Sequence, residues 1–556
     1  MKPERPRLAF CYFLLALQCA VICLPGLSSS PLWDPDEPRY ADASRHMVRT
    51  GDWLVPYFNG KPRFEKPVLF NWFQAVWVMI LGEKEIAYRL PSVLCAFATA
   101  CFLMLTGRLI GSAGLGLVWG SLFISTFRPV TYARQGLVDA TMVMFATAVV
   151  CLYASAVTGA LDRRRAFHWA CVAAALAFFA KGPVGVLIPL LAILLHRIWK
   201  RSFRGLRGLP LLQGALLFSI VAFPWFIYML YRFGYAYLEF SLLKENVERM
   251  AGGAGYVSPE IRPFWYYFEI IPGDLAPWTV IVVAAVVWAA VCWRRFDESL
   301  KEMLRIGFCW AGAVLFLFSL SGYKLPHYIL PVYPAMTMLG AIFLIHASRQ
   351  RGTKTSNVFW LVAWCATALV LTISGVAFGH AFFGPDGDGV SRLIFPWILL
   401  AAGGVITLAL LRKPAFSLGA GIATVSLAFG LLGGVNVPVQ LDPYRPIKAL
   451  VTSLKSHETE GAAIVGYKLP AASIVYYMDR VITFTGEPKE LRAILKKEKE
   501  VFVFTRLSVF ERLPPALRAR LSVVEKRPEF YIRLTRMAPP SPEKLEYILV
   551  ARKVEP

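Results

Sequence analysis

The sequence predicts a polytopic α-helical membrane protein of about thirteen transmembrane helices, with a C-terminal soluble α/β domain. Three observations lead there. Of the 556 residues, 57% are hydrophobic and only 17% charged, against about a quarter charged in water-soluble domains, and the mean hydropathy is +0.53. Apolar windows close to the ~20 residues that span a bilayer recur along the chain. The basic residues between those windows fall on alternate loops, the asymmetry that keeps Lys and Arg on the cytoplasmic side.

The windows lie near 8–27, 86–106, 113–127, 138–158, 167–180, 183–198, 209–231, 275–293, 305–321, 328–346, 357–379, 393–411 and 415–436. The third and fifth are short. Their odd number puts the two termini on opposite sides. The inner loops carry Arg108, Arg163 to Arg165, Arg197 to Arg207, Arg294 to Arg305, Arg349 to Lys354 and Arg412-Lys413, and Lys2, Arg5 and Arg7 place the N-terminus with them. The opening basic and apolar run has the charge order of a signal peptide; it reads as an uncleaved first span. The outer segments are then 28–85, 232–274, several short connections, the acidic turn Pro385 to Gly389 and everything after residue 438.

A transmembrane domain therefore occupies 1–438 and a soluble one 439–556. From Asp442 onward short β-rich runs, at 462–467, 473–478, 481–485, 501–505 and 547–551, alternate with helical stretches at 446–457 and 488–500. That segment offers no Gly-rich phosphate loop, metal cluster or Ser/His/Asp arrangement, and is assigned support or acceptor docking. The ten cysteines all precede residue 440 and form no disulfide framework or CxxC metal motif. The net charge of +23 is spread between apolar runs instead of being gathered on one folded face, which argues for membrane lipids and against nucleic acid as the partner. No small-xxx-small helix face stands out from the general Gly and Ala content.

The first outer loop packs carboxylates, cations and aromatics together. It reads Trp33-Asp34-Pro35-Asp36-Glu37-Pro38-Arg39-Tyr40-Ala41-Asp42, then Gly51-Asp52-Trp53, then Arg63-Phe64-Glu65-Lys66-Pro67. Prolines flank Asp36-Glu37 and fix the backbone at the head of a helix running from Arg39 to Arg49. Acids there also complement the helix dipole, but that does not account for the whole run of charges beside a lipid boundary.

These residues, with the topology, resemble the GT-C superfamily of membrane glycosyltransferases that use polyprenyl-phosphate sugars. Within it they look most like the branch of aminoarabinose transferases and protein O-mannosyltransferases. The resemblance covers essentially the full chain. It rests on Asp36-Glu37-Pro38-Arg39-Tyr40, Gly51-Asp52-Trp53, Glu65-Lys66-Pro67, Lys181-Gly182-Pro183, Arg262 to Tyr267 and Lys324-Leu325-Pro326-His327-Tyr328, in that order. It implies interfacial or re-entrant helices in the first outer loop, a periplasmic C-terminal domain and a location in the bacterial inner membrane, with the active site on the periplasmic side.

The activity implied is inverting transfer of 4-amino-4-deoxy-L-arabinose or a related monosaccharide from undecaprenyl phosphate to an envelope acceptor, with lipid A first in line. By the same resemblance Asp36, with Glu37 beside it, is the catalytic base or acceptor-orienting carboxylate. One such group suffices for a single displacement, while the departing phosphate needs cations. Lys66, Arg39 and Lys324 are the first choices for those cations, with Arg249 and Arg262 second; snorkelling to lipid headgroups is the competing reading. Tyr40, His327 and Tyr328 complete the expected substrate-binding set. Some relatives hold a divalent metal through an acid matching Glu65 and a histidine in the later outer segment. Here that segment reads Lys244-Glu245-Asn246-Val247-Glu248-Arg249, with Asn246 at the histidine position, so one divalent ion, of the hard oxygen-loving kind, stays an open expectation.

Two other readings stand beside this one. The same donor class could serve a protein acceptor, as in O-mannosylation. A transporter of lipid-linked sugar would show inverted repeats and charges near the bilayer midplane; no repeat is visible, and the spans are nearly free of acids apart from Asp139, with Glu239 the other near exception.

Overall fold

The structure, a computed structural model, describes residues 8–204, 207–248, 262–349, isolated positions between 362 and 372, 395–409, 414–434, 438, 442–456, 461–529 and 546–554. The chain divides into two compact units. One contains Met1–Pro25, Phe64–Phe70 and Leu90–Leu431; the other contains Gly26–Arg63, Asn71–Arg89 and Leu432–Pro556.

The first unit is helical. Every apolar window of the sequence coincides with a helix, apart from 357–379, which falls largely outside the described residues. Among the described residues six helices are long and apolar enough to cross a membrane, or seven if a bent pair counts as one. That is fewer than thirteen. Several windows hold helices of 10–17 residues, including Leu8–Cys23, Ala113–Ile124 and Pro183–Trp199, and the basic start of Arg163–Lys181 lowers its apolar length. The bent pair, Tyr266–Asp274 and Thr279–Arg295, turns through 118°. Asp274, fully buried at the bend, is bound by Arg128 at 2.5 Å and by the Tyr333 hydroxyl at 2.7 Å, while Trp278 donates to the Ser125 hydroxyl. At the break itself the Ala276 carbonyl accepts from the Phe127 amide at 2.9 Å, the kind of internal partner that a backbone group freed by a broken helix needs in an apolar setting.

Close helix approach in this unit depends on glycine. A Cβ on Gly116 would run into the Met104 carbonyl oxygen, one on Gly107 would lie 2.5 Å from the Gly116 Cα, and one on Gly120 would lie 2.9 Å from the Ala100 carbonyl. The helices Glu85–Ile110 and Ala113–Ile124 thus meet along a small-residue seam, which the sequence reading missed because overall Gly and Ala abundance hides the spacing.

The second unit joins the first outer loop to the C-terminal segment, so the sequence boundary at 438 separates two stretches that fold together. The loop supplies the helix Asp36–Thr50 and a hairpin of β1 (Tyr57–Phe58) and β2 (Lys61–Pro62). The C-terminal segment supplies β3 (Ala463–Tyr467), β4 (Thr483–Thr485), β5 (Val501–Arg506), β6 (Leu521–Glu529) and β7 (Glu546–Lys553), in the spatial order β4-β3-β5-β7-β6. β3 pairs in parallel with β4 and β5, while β7 runs antiparallel to β5 and β6.

Both sheet faces are covered. Phe502, Phe504, Ile548 and Val550 pack with the helix Ile447–Lys455, whereas Val501, Val503, Leu549 and Ala551 pack with Leu491 and Leu495 of Pro488–Lys497. This period of two across a sheet buried on both faces explains the unbroken apolar run at 501–504. Two expectations change. Residues 473–478 are not a strand but lie in the helix Ala472–Met478, because joining parallel β3 to β4 requires a crossover, usually helical. β6 was not foreseen, since an edge strand with one solvated face, ending near Pro528, carries a weak apolar signal.

The loop is tied to the sheet by specific bonds. Asn59, at φ 53, donates to the Ile482 carbonyl at 2.9 Å and accepts from the Ile482 amide at 2.7 Å; asparagine tolerates this left-handed backbone better than most residues. Arg45 donates to the Tyr476 carbonyl and pairs with Asp42 and Asp479. Gly116→Leu is expected to force the seam apart at a cost of about 1–3 kcal/mol, read as a lowered thermal midpoint of the detergent-purified protein; an unchanged midpoint would contradict the seam.

Candidate active site

The acidic pair of the first loop splits into two unlike groups. Glu37 is 1% exposed, and its two oxygens accept from the Arg89 Nε and a terminal guanidinium nitrogen at 2.9 Å each and from the Trp33 amide at 2.7 Å. Arg89 spends its remaining N–H groups on the carbonyls of Leu27, Ser30 and Pro31, at 2.6–2.9 Å. All five guanidinium donors are used. A buried ion pair survives only with such complete bonding, so the pair sets the position of the helix entry.

Asp36 is the exposed member. Its side chain is 52% accessible and Arg39 approaches only to 4.0 Å. Arg39 lies 5.9 Å above the Phe58 ring. Tyr40 is 4% exposed, with Arg63 stacked 4.2 Å over its ring, and its carbonyl accepts from Ser44 and Asn71. Asp34 is turned the other way: the Ser473 amide donates to it at 2.8 Å and the Ser473 hydroxyl donates to its second oxygen. Burial pushes its carboxyl up to about 6, against the opposing pull of those bonds and of Arg39.

Within the helical unit, several of the expected residues converge. Lys181 pairs with Asp139 at 2.5 Å, and Lys66 and His327 also lie within electrostatic reach of Asp139. Tyr328 stacks edge-on to His327 with centroids 5.0 Å apart and lies 5.8 Å beneath the Lys181 ammonium. The Tyr267 hydroxyl donates to the Leu325 carbonyl and feels both Tyr328 and Arg262. Arg262 stacks on Tyr266 at 4.4 Å and bonds its hydroxyl. Lys324 is 6% exposed, donates to the Ser321 carbonyl at 2.6 Å, and is held below the ordinary lysine range by burial. Lys181, Lys66 and His327 thus gather around Asp139, with Tyr328 beside them, an arrangement suited to an anion.

Arg249 and the side chains of Glu245, Asn246 and Glu248 lie outside the described residues. Glu65 is half-buried, and among the described residues no three His, Cys, Asp or Glu side chains come together as metal ligands. Sequence reading missed Arg89, Asp139, Lys181 and Asp274 as partners, although each had a signal: a lone charge at an apolar helix end calls for a counter-charge.

Comparisons with known proteins bear on the family and the fold. The family described as dolichyl-phosphate-mannose-protein mannosyltransferase matches residues 65–228. An uncharacterized protein of Aquifex aeolicus is 33% identical over 60% of this chain and 73% of its own length. The undecaprenyl phosphate-alpha-4-amino-4-deoxy-L-arabinose arabinosyl transferase 2 of Proteus mirabilis is 27% identical over 65% of each chain. The crystal structure of ArnT from Cupriavidus metallidurans bound to undecaprenyl phosphate superposes with a TM-score of 0.77 over 98% of both chains at 20% identity. The fold and the relatives together define a multi-pass membrane glycosyltransferase of the GT-C class. The chain belongs to the polyprenyl-phosphate-sugar-dependent family of these enzymes.

Two outcomes are expected. Arg89→Met strands Glu37 and should cost about 3–5 kcal/mol, lowering the thermal midpoint, whereas the double variant with Glu37→Gln should recover part of the loss; equal midpoints for wild type and Arg89→Met would refute the clamp. Asp34 has a higher pKa folded than unfolded, so its stabilisation is full below about pH 4 and fades as pH rises through about 6. Midpoints measured from pH 4 to 7 should show wild type losing stability relative to Asp34→Asn over that window.

Proposed function

We propose that the protein transfers 4-amino-4-deoxy-L-arabinose, or a closely related monosaccharide, from undecaprenyl phosphate to lipid A with inversion at the anomeric carbon. The donor and sugar follow the named relatives, which align over about two thirds of their length. The observation that carries the mechanism is the division of labour between neighbouring acids: Glu37 is locked by Arg89 while Asp36 stays exposed at the head of the same helix.

Asp36 orients the acceptor nucleophile and takes its proton as it attacks. Arg39 and Tyr40 shape the surroundings of Asp36. Lys66 and Lys324, with Lys181, Arg262 and Arg249 in support, neutralise the departing polyprenyl phosphate. Asp139 keeps Lys181 in place, and His327 and Tyr328 line the same neighbourhood. The enzyme lies in the bacterial inner membrane with its N-terminus in the cytoplasm and its C-terminal segment in the periplasm. A second reading, transfer of mannose to a secreted protein, is favoured by the mannosyltransferase match at residues 65–228.

The deciding experiment is mass spectrometry of lipid A and of glycopeptides from cells lacking the gene, complemented with wild type or Asp36→Asn. Loss of one sugar mass from lipid A, restored by wild type and not by Asp36→Asn, is expected. With purified enzyme Asp36→Asn should lower turnover by about 10²–10⁴-fold while leaving donor affinity unchanged. Altered glycopeptides with unaltered lipid A would favour the protein acceptor.

A further inference from the structure

The unit that carries Asp36 also contains a cavity of about 330 Å³, walled by residues 31–35 of the first loop, residues 444–448, the turn 469–473, Tyr477, Arg506, Glu529 and Ile548. Its size falls at the lower end of small-molecule sites, about 300–1,000 Å³, enough for one or two sugar rings. We propose that this cavity is a carbohydrate subsite that holds a neutral sugar unit of the acceptor and registers it against Asp36.

Three features select that ligand. The walls are a mixture of aromatic faces, Trp33, Tyr444 and Tyr477, and aliphatic surface from Leu469 and Ile548, which together suit the C–H face of a pyranose. The charges come in matched pairs: Arg506 with Glu529 at 2.9 Å, Arg445 with Asp442 at 3.0 Å, and Lys448 with Glu85. Each of these three cations is committed to a carboxylate and Asp34 adds an acid to the wall, which disfavours a phosphate, yet the wall presents donors and acceptors side by side, as vicinal hydroxyls require. The five charged side chains in the wall also make it a poor place for an acyl chain.

The connection to chemistry is covalent. Trp33, Asp34 and Pro35 form part of the wall and Asp36 is the next residue. The Trp33 amide is fixed by Glu37, and the Trp33 ring is capped by the Arg445 guanidinium 3.5 Å from its centroid. A sugar seated here therefore lies against the residues that lead directly into Asp36. The inference rests on Asp36 serving the acceptor side of the reaction.

Saturation-transfer NMR tests it, using the full-length protein in lipid nanodiscs with N,N′-diacetylchitobiose as the probe. Transfer is expected with wild type and with Asp36→Asn, and should fall by about tenfold with Ala471→Trp, which fills the cavity, and with Trp33→Ala, which removes an aromatic wall without adding bulk. Undiminished transfer in both cavity variants would overturn the proposal, as would displacement of the probe by inorganic phosphate, which would mark an anion site. If Asp36→Asn keeps full turnover, the catalytic reading fails on its own, while the binding data still judge the cavity.

Discussion

Arg89 brings five N–H donors into a fully buried position, and each must find an acceptor or cost the fold heavily. Three backbone carbonyls from Leu27, Ser30 and Pro31 and both oxygens of Glu37 meet that demand. The result fixes an irregular stretch of backbone that has no strand or long helix to define it. The entry to the helix Asp36–Thr50, the orientation of Trp33 and the exposure of Asp36 all follow from that one cation. Such a pair adds little net stability compared with an apolar replacement; what it supplies here is a single geometry.

Charge placement elsewhere obeys the same rule. In the helical unit, Arg128, Asp274 and Tyr333 satisfy one another at a bent helix pair, and Lys181 and Asp139 do so where two helix ends meet. A buried charge with a committed partner holds elements in register, whereas a charge with capacity left over can act on a substrate. Lys66, His327 and Tyr328 surround the Lys181 pair and tip the local balance toward positive potential. In the other unit Asp36 keeps an exposed carboxylate, with Arg39 4.0 Å away.

Much of the site was legible because its residues sit in short polar motifs between apolar runs, where nothing else explains them. Asp36, Lys66, His327 and Tyr328 could be named for that reason. Glu37 could not be told from Asp36 by sequence, because the two are adjacent and chemically alike; only the direction of the side chain from the first helical turn separates them. Arg89, which makes that separation, lies 52 residues away from Glu37, and no local pattern links the two. The helix at 472–478 was misread for a related reason: its β-branched residues satisfy strand preference locally, and the parallel neighbours that demand a crossover are visible only in three dimensions.

By itself the sequence determined the class of solvent and the placement of the helices, since hydropathy is a local quantity summed along the chain. The tertiary structure decided three things that depend on distant pairs. It joined the first outer loop to the C-terminal segment as one compact unit, assigned Glu37 to structure and left Asp36 exposed, and brought Asp139 to Lys181. Each is settled by which buried charge or backbone group satisfies which other, and that matching is a property of the folded chain.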